Sequence, residues 1–250
     1  MTRPVPRIST RGYYDLTNGK TLKKNPYHLY PKKEFEKLIG SKEFTIMIHG
    51  LGNDNAGAVE KVIIARNKLR RLGYNFPVVG FSYDSNTTGG HLMAFAKHAL
   101  VVGQMIAKKN GRNLAIFIED FKSISPKTKI RLIGHSLGSQ VILSTVERLF
   151  KFQNTGIIES AHFFGASIPS DVPSSKKYGP LLQRVIRGKI VNYYSPNDEV
   201  LFWGDKANYV SGPLGLHGAT GKTISKYHQK LVSPENHRFA SYATVLKSFP

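Results

Sequence analysis

Five short apolar runs, most of them followed by a stretch of helical periodicity, constrain this 250-residue chain more than any other feature. They read "EFTIMIHG" (43–50), "FPVVGFSYD" (76–84), "KIRLIGHS" (129–136), "IESAHFFGAS" (158–167) and "KIVNYYSPND" (189–198). Short, β-rich and ended by turn residues, they have the pattern of strands buried on both faces. Between them the period changes. Helices are expected at 56–74, stopping at Gly73, at 90–109 and 113–123 as a pair, at 137–152, at 181–187, and at 237–246 to close the chain. Strands alternating with helices imply a mainly parallel sheet covered on both faces, the α/β class. No repeat, low-complexity tract or dividing linker interrupts the pattern, so one domain over residues 1–250 is expected. Residues 1–42, rich in Pro, Gly, Lys and Tyr, read as a basic N-terminal extension. It would hold a hairpin around Asn18-Gly19 and a short helix at 32–39.

Composition narrows the chemistry. The chain has no cysteine, which removes disulfides and thiolate metal sites. Its start, "MTRPVPRISTRGYYDL", has no apolar stretch of the kind a secretory signal needs, so the expectation is a cytoplasmic protein, with particle association or unconventional export left open. The longest apolar stretch, "HLMAFAKHALVVGQMIAKK", carries Lys97 and His98 at its centre and reads as a buried or amphipathic helix rather than a membrane span. Against 16 acidic residues stand 36 basic ones, a formal charge of +20. Such a balance favours anionic partners, either lipid headgroups or nucleic acid, although the basic residues are scattered in small groups.

One turn carries more chemical information than the rest. In "IRLIGHSLGSQVIL" (130–143) a serine stands between glycines where a strand pattern gives way to a helix pattern. Gly134-His135-Ser136-Leu137-Gly138 fits G-x-S-x-G, a strained strand-to-helix turn that exposes the serine hydroxyl at the N-terminus of a helix. The helix dipole there favours an alkoxide and an oxyanion. Sites in parallel sheets lie at the carboxyl ends of the strands, and each candidate residue ends such a strand or follows it closely.

At this point the chain resembles the α/β-hydrolase superfamily, and "GHSLG" is similar to the motif of its lipase and esterase members. The likeness runs from about Glu43 to the C-terminus. The resemblance implies an α/β-hydrolase fold, an acyl-enzyme mechanism, and partners in the order serine, acid, histidine. It implies an oxyanion hole made by the amide of Leu137 and, through the His49-Gly50 pair, that of Leu51; His49 itself reads as structural. Asp198, in "VNYYSPNDEVL", is favoured as the acid because that turn resembles the acid-bearing turn of lipase-like families, with Glu199 and Asp171 as alternatives. His237, in the polar loop of "SPENHRFASY" before the last helix, is favoured as the base. His228 comes next, and His217 lies in a glycine-rich loop near the acid. His28, His91, His98 and His162 stand in the wrong places, and His135 reads as a packing residue at the variable elbow position. This machinery calls for no metal or organic cofactor.

Too few residues separate the strand at 158–167 from the next one to hold a large cap domain. The helix pair at 90–123 is the larger excursion and would wall the site, while Phe202 and Trp203 would line an acyl pocket. The expected activity is therefore hydrolysis of carboxylic esters, lipid-like ones included, by a serine esterase. Acyl transfer, peptidase and thioesterase chemistry share the same residues. The competing reading is a non-catalytic hydrolase-fold protein that binds nucleic acid or an anionic membrane through its basic surface.

Overall fold

The computed structural model describes residues 4–89 and 96–250. Its centre is an eight-stranded sheet in the order β2-β1-β4-β3-β5-β6-β7-β8. The strands are β1 (Arg7–Ser9), β2 (His28–Tyr30), β3 (Glu43–Ile48), β4 (Val78–Ser82), β5 (Lys129–His135), β6 (Ser160–Phe164), β7 (Ile190–Tyr194) and β8 (Tyr227–Leu231). All neighbours pair in parallel except β1 with β2. The sheet is parallel except at its β2 edge and carries helices on both faces, as expected for an α/β-hydrolase-like architecture.

The period-2 alternation of the strands sorts side chains into two cores. Phe44, Ile46 and Ile48 of β3 and Ala161 and Phe163 of β6 face a core that also holds residues of α3 (Ala96–Ile124) and α4 (Gly138–Lys151). Met47 and Phe164, one residue out of phase, face the other core with Val62 and Leu69 of α2 (Asn55–Arg71) and Tyr242 of α8 (Phe239–Val245). Helix α2 shows why such segments fold as they do. Ala58, Val62, Ala65 and Leu69 recur on one buried face, and the Asp54 carboxylate caps the first turn by accepting from the Gly57 N–H at 2.7 Å.

The structure changes several expectations. The two helices anticipated at 90–109 and 113–123 are one helix, α3, whose described part begins at Ala96; residues 90–95, His91 among them, lie outside the described residues. Asn110 and Gly111, in the gap left between the two expected helices, and Asn113 after it are used in packing. A Cβ on Gly111 would lie 2.6 Å from the backbone carbon of Ser144, so glycine lets α3 and α4 meet closely. Asn110 accepts from the Thr10 hydroxyl at 2.7 Å, and Asn113 donates to the Tyr14 hydroxyl at 2.8 Å. Residues 7–9 and 28–30 are not a separate extension but strands of the central sheet, too short to signal themselves. The Asn18-Gly19 turn closes a single bridge, Tyr14 to Thr21, rather than a ladder. Helix α1 covers only Lys32–Glu36.

Three further elements had no clear pattern: α6 (Glu199–Lys206), α7 (Leu214–His217) and the edge strand β8, in which only Tyr227 is buried. Between β6 and β7 stands only the short helix α5 (Gly179–Val185), with no large cap.

Candidate active site

Ser136 sits one residue past β5 with φ 51°, the left-handed backbone that a non-glycine residue adopts at a cost of the order of 1 kcal/mol. The turn is tight because α4 starts two residues later and its first residue, Gly138, lies against β3. A Cβ there would stand 2.9 Å from the His49 carbonyl oxygen and closer still to that of Ile48. The strain turns the Ser136 side chain out of the sheet at its carboxyl edge, half-buried.

Three side chains brought from different strand ends form one hydrogen-bonded chain. The Ser136 hydroxyl lies 2.9 Å from His237 Nε2, and His237 Nδ1 lies 2.7 Å from Asp198 Oδ2. Asp198 is wholly buried at its side chain, while His237 keeps 13% of its own exposed. The neutral tautomer that fits both contacts carries its proton on Nδ1 and accepts from the serine on Nε2. Asp198 follows β7 and caps α6, its Oδ1 accepting from the Leu201 N–H at 3.1 Å. Burial alone would push this carboxyl up. The hydrogen bond and charge of His237, with the bonds from Tyr242 and Leu201, outweigh burial and hold it below the usual carboxylate range.

Two residues that steer this chain escaped sequence reasoning. The Tyr242 hydroxyl donates to Asp198 Oδ2 at 2.6 Å, so that oxygen accepts from both tyrosine and histidine. A signal existed in its place one turn into the helix after His237, but its neighbours in "FASYATV" make it look like core. His135, read only as packing, donates through Nε2 to the His237 carbonyl at 2.7 Å and so fixes the loop that carries His237. Burial, then the neighbouring His237, pushes its pKa down to about 3, which keeps it neutral.

The loop after β3 supplies the other wall. Among the described residues, neither the Leu51 N–H nor the Leu137 N–H has a protein acceptor. The loop around Leu51 is held from several sides. Asn53 donates to the carbonyls of Gly50 and Leu51 at 3.1 and 3.0 Å, and the Gly52 N–H donates to Ser85 at 2.7 Å. His49 is buried, stacked on Tyr83 with centroids 4.5 Å apart, and donates through Nδ1 to the Gly50 carbonyl at 3.0 Å. Its pKa is pushed down to about 3 by burial and then by the Arg11 cation, so it acts within the loop as a neutral group.

Arg11, from the N-terminal segment that sequence reasoning left unassigned, spans this loop. It donates to the carbonyls of Asn53 and Asp54 at 2.9 and 2.8 Å and to Ser82 at 2.9 Å, and its Nη2 lies 3.2 Å from His49 Nε2. No local pattern points to such a contact.

The remaining candidates lie elsewhere. Asp171 is paired with Lys177 at 3.5 Å, and Glu199 is exposed in the first turn of α6. His228 is exposed on β8, and His217 pairs with Asp205 at 2.7 Å, outside the serine chain. Phe202 and Trp203 are exposed on α6, at 39% and 65%, rather than lining an enclosed pocket. Among the described residues no group of three or more His, Asp or Glu converges as a metal site, and no helix is long and apolar enough to cross a membrane.

Residues 97–210 match a family described as a protein of unknown function (DUF726). Over 135 residues the chain is 32% identical to phospholipases A1 2, 3 and 4 of Polistes dominula, a match covering 50% of this chain and 39% of each relative. The chain thus spans about two fifths of the length of the curated relatives it matches. Among solved structures it is similar to a lipase-esterase related protein from Clostridium acetobutylicum, with a TM-score of 0.44, 10% identity and coverage of 82% and 91% of the two chains. It is also similar to a cutinase-like protein from Cryptococcus sp., with a TM-score of 0.41, 11% identity and coverage of 76% and 75%.

Proposed function

We propose that this chain is a serine esterase that cleaves carboxylic esters, with lipid-like acyl esters as its substrate class, through an acyl-enzyme formed on Ser136. The observation that carries the reading is the Ser136–His237–Asp198 chain at 2.9 and 2.7 Å, set on an elbow with a strained serine. In the proposed reaction His237 Nε2 takes the Ser136 proton as Oγ attacks the acyl carbonyl. The buried Asp198 carboxylate holds the imidazole tautomer and stabilises the imidazolium. The carbonyl oxygen becomes an oxyanion accepting from the Leu51 and Leu137 amides, each such donor being worth about 10²–10³ in rate. The imidazolium then protonates the departing alkoxide. In the second half His237 takes a proton from water, hydroxide attacks the acyl carbon, and Ser136 leaves with that proton. No cofactor enters these steps.

The similarity to phospholipases A1 supports a lipid ester over a short soluble one. The +20 charge supports an anionic lipid surface, since each Lys or Arg near such a surface adds about 1 kcal/mol of attraction. The reading takes residues 1–250 as one domain, supported by the presence of β1 and β2 in the sheet that carries Ser136.

The test is labelling with a fluorophosphonate probe, the adduct being located by mass spectrometry, beside Ser136→Ala and His237→Ala. Labelling at Ser136 that both substitutions abolish, followed by turnover of p-nitrophenyl esters and of a phosphatidylglycerol vesicle, is the expected result. A folded protein that does not label would refute the esterase reading and favour a binding role for the scaffold.

A further inference from the structure

The parallel strands have a second end, and it is basic. Lys129 opens β5, Glu159 directly precedes β6, Lys122 lies in the last turn of α3, and Arg187 follows α5. With Lys127 these side chains line a cleft of about 260 Å³ at the amino ends of the strands. The seven residues of β5 separate it from Ser136, roughly 20 Å at strand rise, so it is no part of the site described above.

Four cations meet a single carboxylate there. Glu159 pairs with Lys129 at 3.4 Å. Lys122 donates to the carbonyls of Pro126 and Thr128, both at 2.7 Å, which fixes its ammonium at the wall and leaves one of its three N–H groups over. Arg187 uses Nε on the Gly156 carbonyl at 3.3 Å, so its two terminal amino groups have no acceptor among the described residues. Lys127 is exposed and has no acceptor among the described residues. The carbonyls of Pro126, Thr128 and Gly156 orient these donors without neutralising them. Burial, and next the charge of Arg187, push the Lys122 ammonium below the usual lysine range, as expected of cations crowded without sufficient counter-charge.

We propose that this cleft binds a phosphate monoester dianion. Net charge at the walls calls for more than one negative charge, and an arginine fork beside lysine ammonium groups suits a tetrahedral oxyanion with several acceptors. The volume exceeds that of phosphate and leaves room for a small organic part, either a soluble phosphomonoester or the headgroup of a phosphatidic acid. The site is independent of the ester-hydrolase reading and is tested without activity.

Binding of inorganic phosphate and of glycerol 3-phosphate would be measured by titration calorimetry at low ionic strength, with vesicles containing phosphatidic acid as a separate arm. Lys127→Gln with Arg187→Gln removes two exposed donors and spares the half-buried Lys122. Lys20→Gln with Lys206→Gln removes the same charge away from the cleft, Lys20 lying beside the Gly19 carbonyl that accepts from Lys109 and Lys206 at the end of α6. One saturable site, weakened at least tenfold by the first pair and unchanged by the second, is the expected result. Saturable binding to the vesicles alone, lost in the first pair only, would assign the headgroup as the source. Absence of saturable binding to all three probes, or equal weakening by both pairs, would overturn the proposal and leave only general surface charge.

Discussion

Tyr242→Phe isolates one oxygen atom of the proposed site. The ring is fully buried, T-shaped against Phe164 at 6.3 Å and His237 at 6.5 Å, and phenylalanine preserves that packing. What disappears is the donor 2.6 Å from Asp198 Oδ2, leaving that oxygen with His237 alone. A hydrogen bond to an ionised partner contributes about 1.5–3 kcal/mol. For a chain of this size a loss near 2 kcal/mol lowers Tm by about 4–8 °C. The same loss frees the carboxylate to rotate about Oδ1, which stays bonded to Leu201, and the imidazole is positioned less tightly. A fall in kcat of about tenfold with little change in KM is expected, with fluorophosphonate labelling at Ser136 slowed but retained. The pH dependence gives an independent check. Asp198 has a folded pKa below its unfolded one, so its contribution is present above about pH 4 and is lost as pH falls through the folded value. Tyr242 helps to hold it low, so the stability gap between wild type and variant should be constant from pH 7 down to about pH 4 and narrow below that, as pH falls through the folded value. Urea melts at pH 7 and at about pH 2.5, run beside p-nitrophenyl butyrate kinetics at neutral pH, measure the two effects. Equal stability at pH 7, or a gap as wide at about pH 2.5 as at pH 7, would refute the idea that the tyrosine acts through the ionised carboxylate.

Other consequences are more compact. Gly111→Ala should destabilise the protein by about 1–3 kcal/mol through overpacking against Ser144, although alanine is the better helix former by about 1 kcal/mol; a rise in Tm would mean that α3 and α4 can separate at no cost. Arg11→Gln removes the donors that hold Asn53 and Asp54, and should lower kcat by about 10–100-fold while KM changes less; an unchanged kcat would detach the loop from Arg11. His49, His135 and His162 are each pushed down to about 3, chiefly by burial, so below about pH 6.5 the unfolded chain binds protons that the native protein refuses. Stability should therefore fall steadily from pH 7.5 to pH 5, by about 1–2 kcal/mol per histidine, and a flat Tm over that range would contradict their neutral burial.

What the sequence made legible was whatever is encoded locally. Strands buried on both faces need apolar runs, and those runs revealed β3 to β7. The serine turn was readable because its strain demands glycine within two residues on either side, Asp198 because it follows a recognisable strand by a short turn, and His237 because it stands in a polar loop directly before a recognisable helix. The failures share one cause. Gly111 looks like a helix breaker in isolation, and only its approach to Ser144 makes it a packing residue inside α3. Strand β8 has one buried residue, so hydrophobic pattern had nothing to report and pairing with β7 alone defines it. Arg11 reaches a loop some forty residues further along the chain through hydrogen bonds that leave no periodic trace. A site of this kind is therefore readable for the atoms that would react and hidden for those that hold them. The supports are side chains meeting across the fold: Arg11 on the loop of Leu51, His135 on the carbonyl of His237, and Tyr242 on the carboxylate of Asp198. If the proposed chemistry is right, substitutions at these three should lower the rate without abolishing the serine adduct, whereas Ser136→Ala should abolish it.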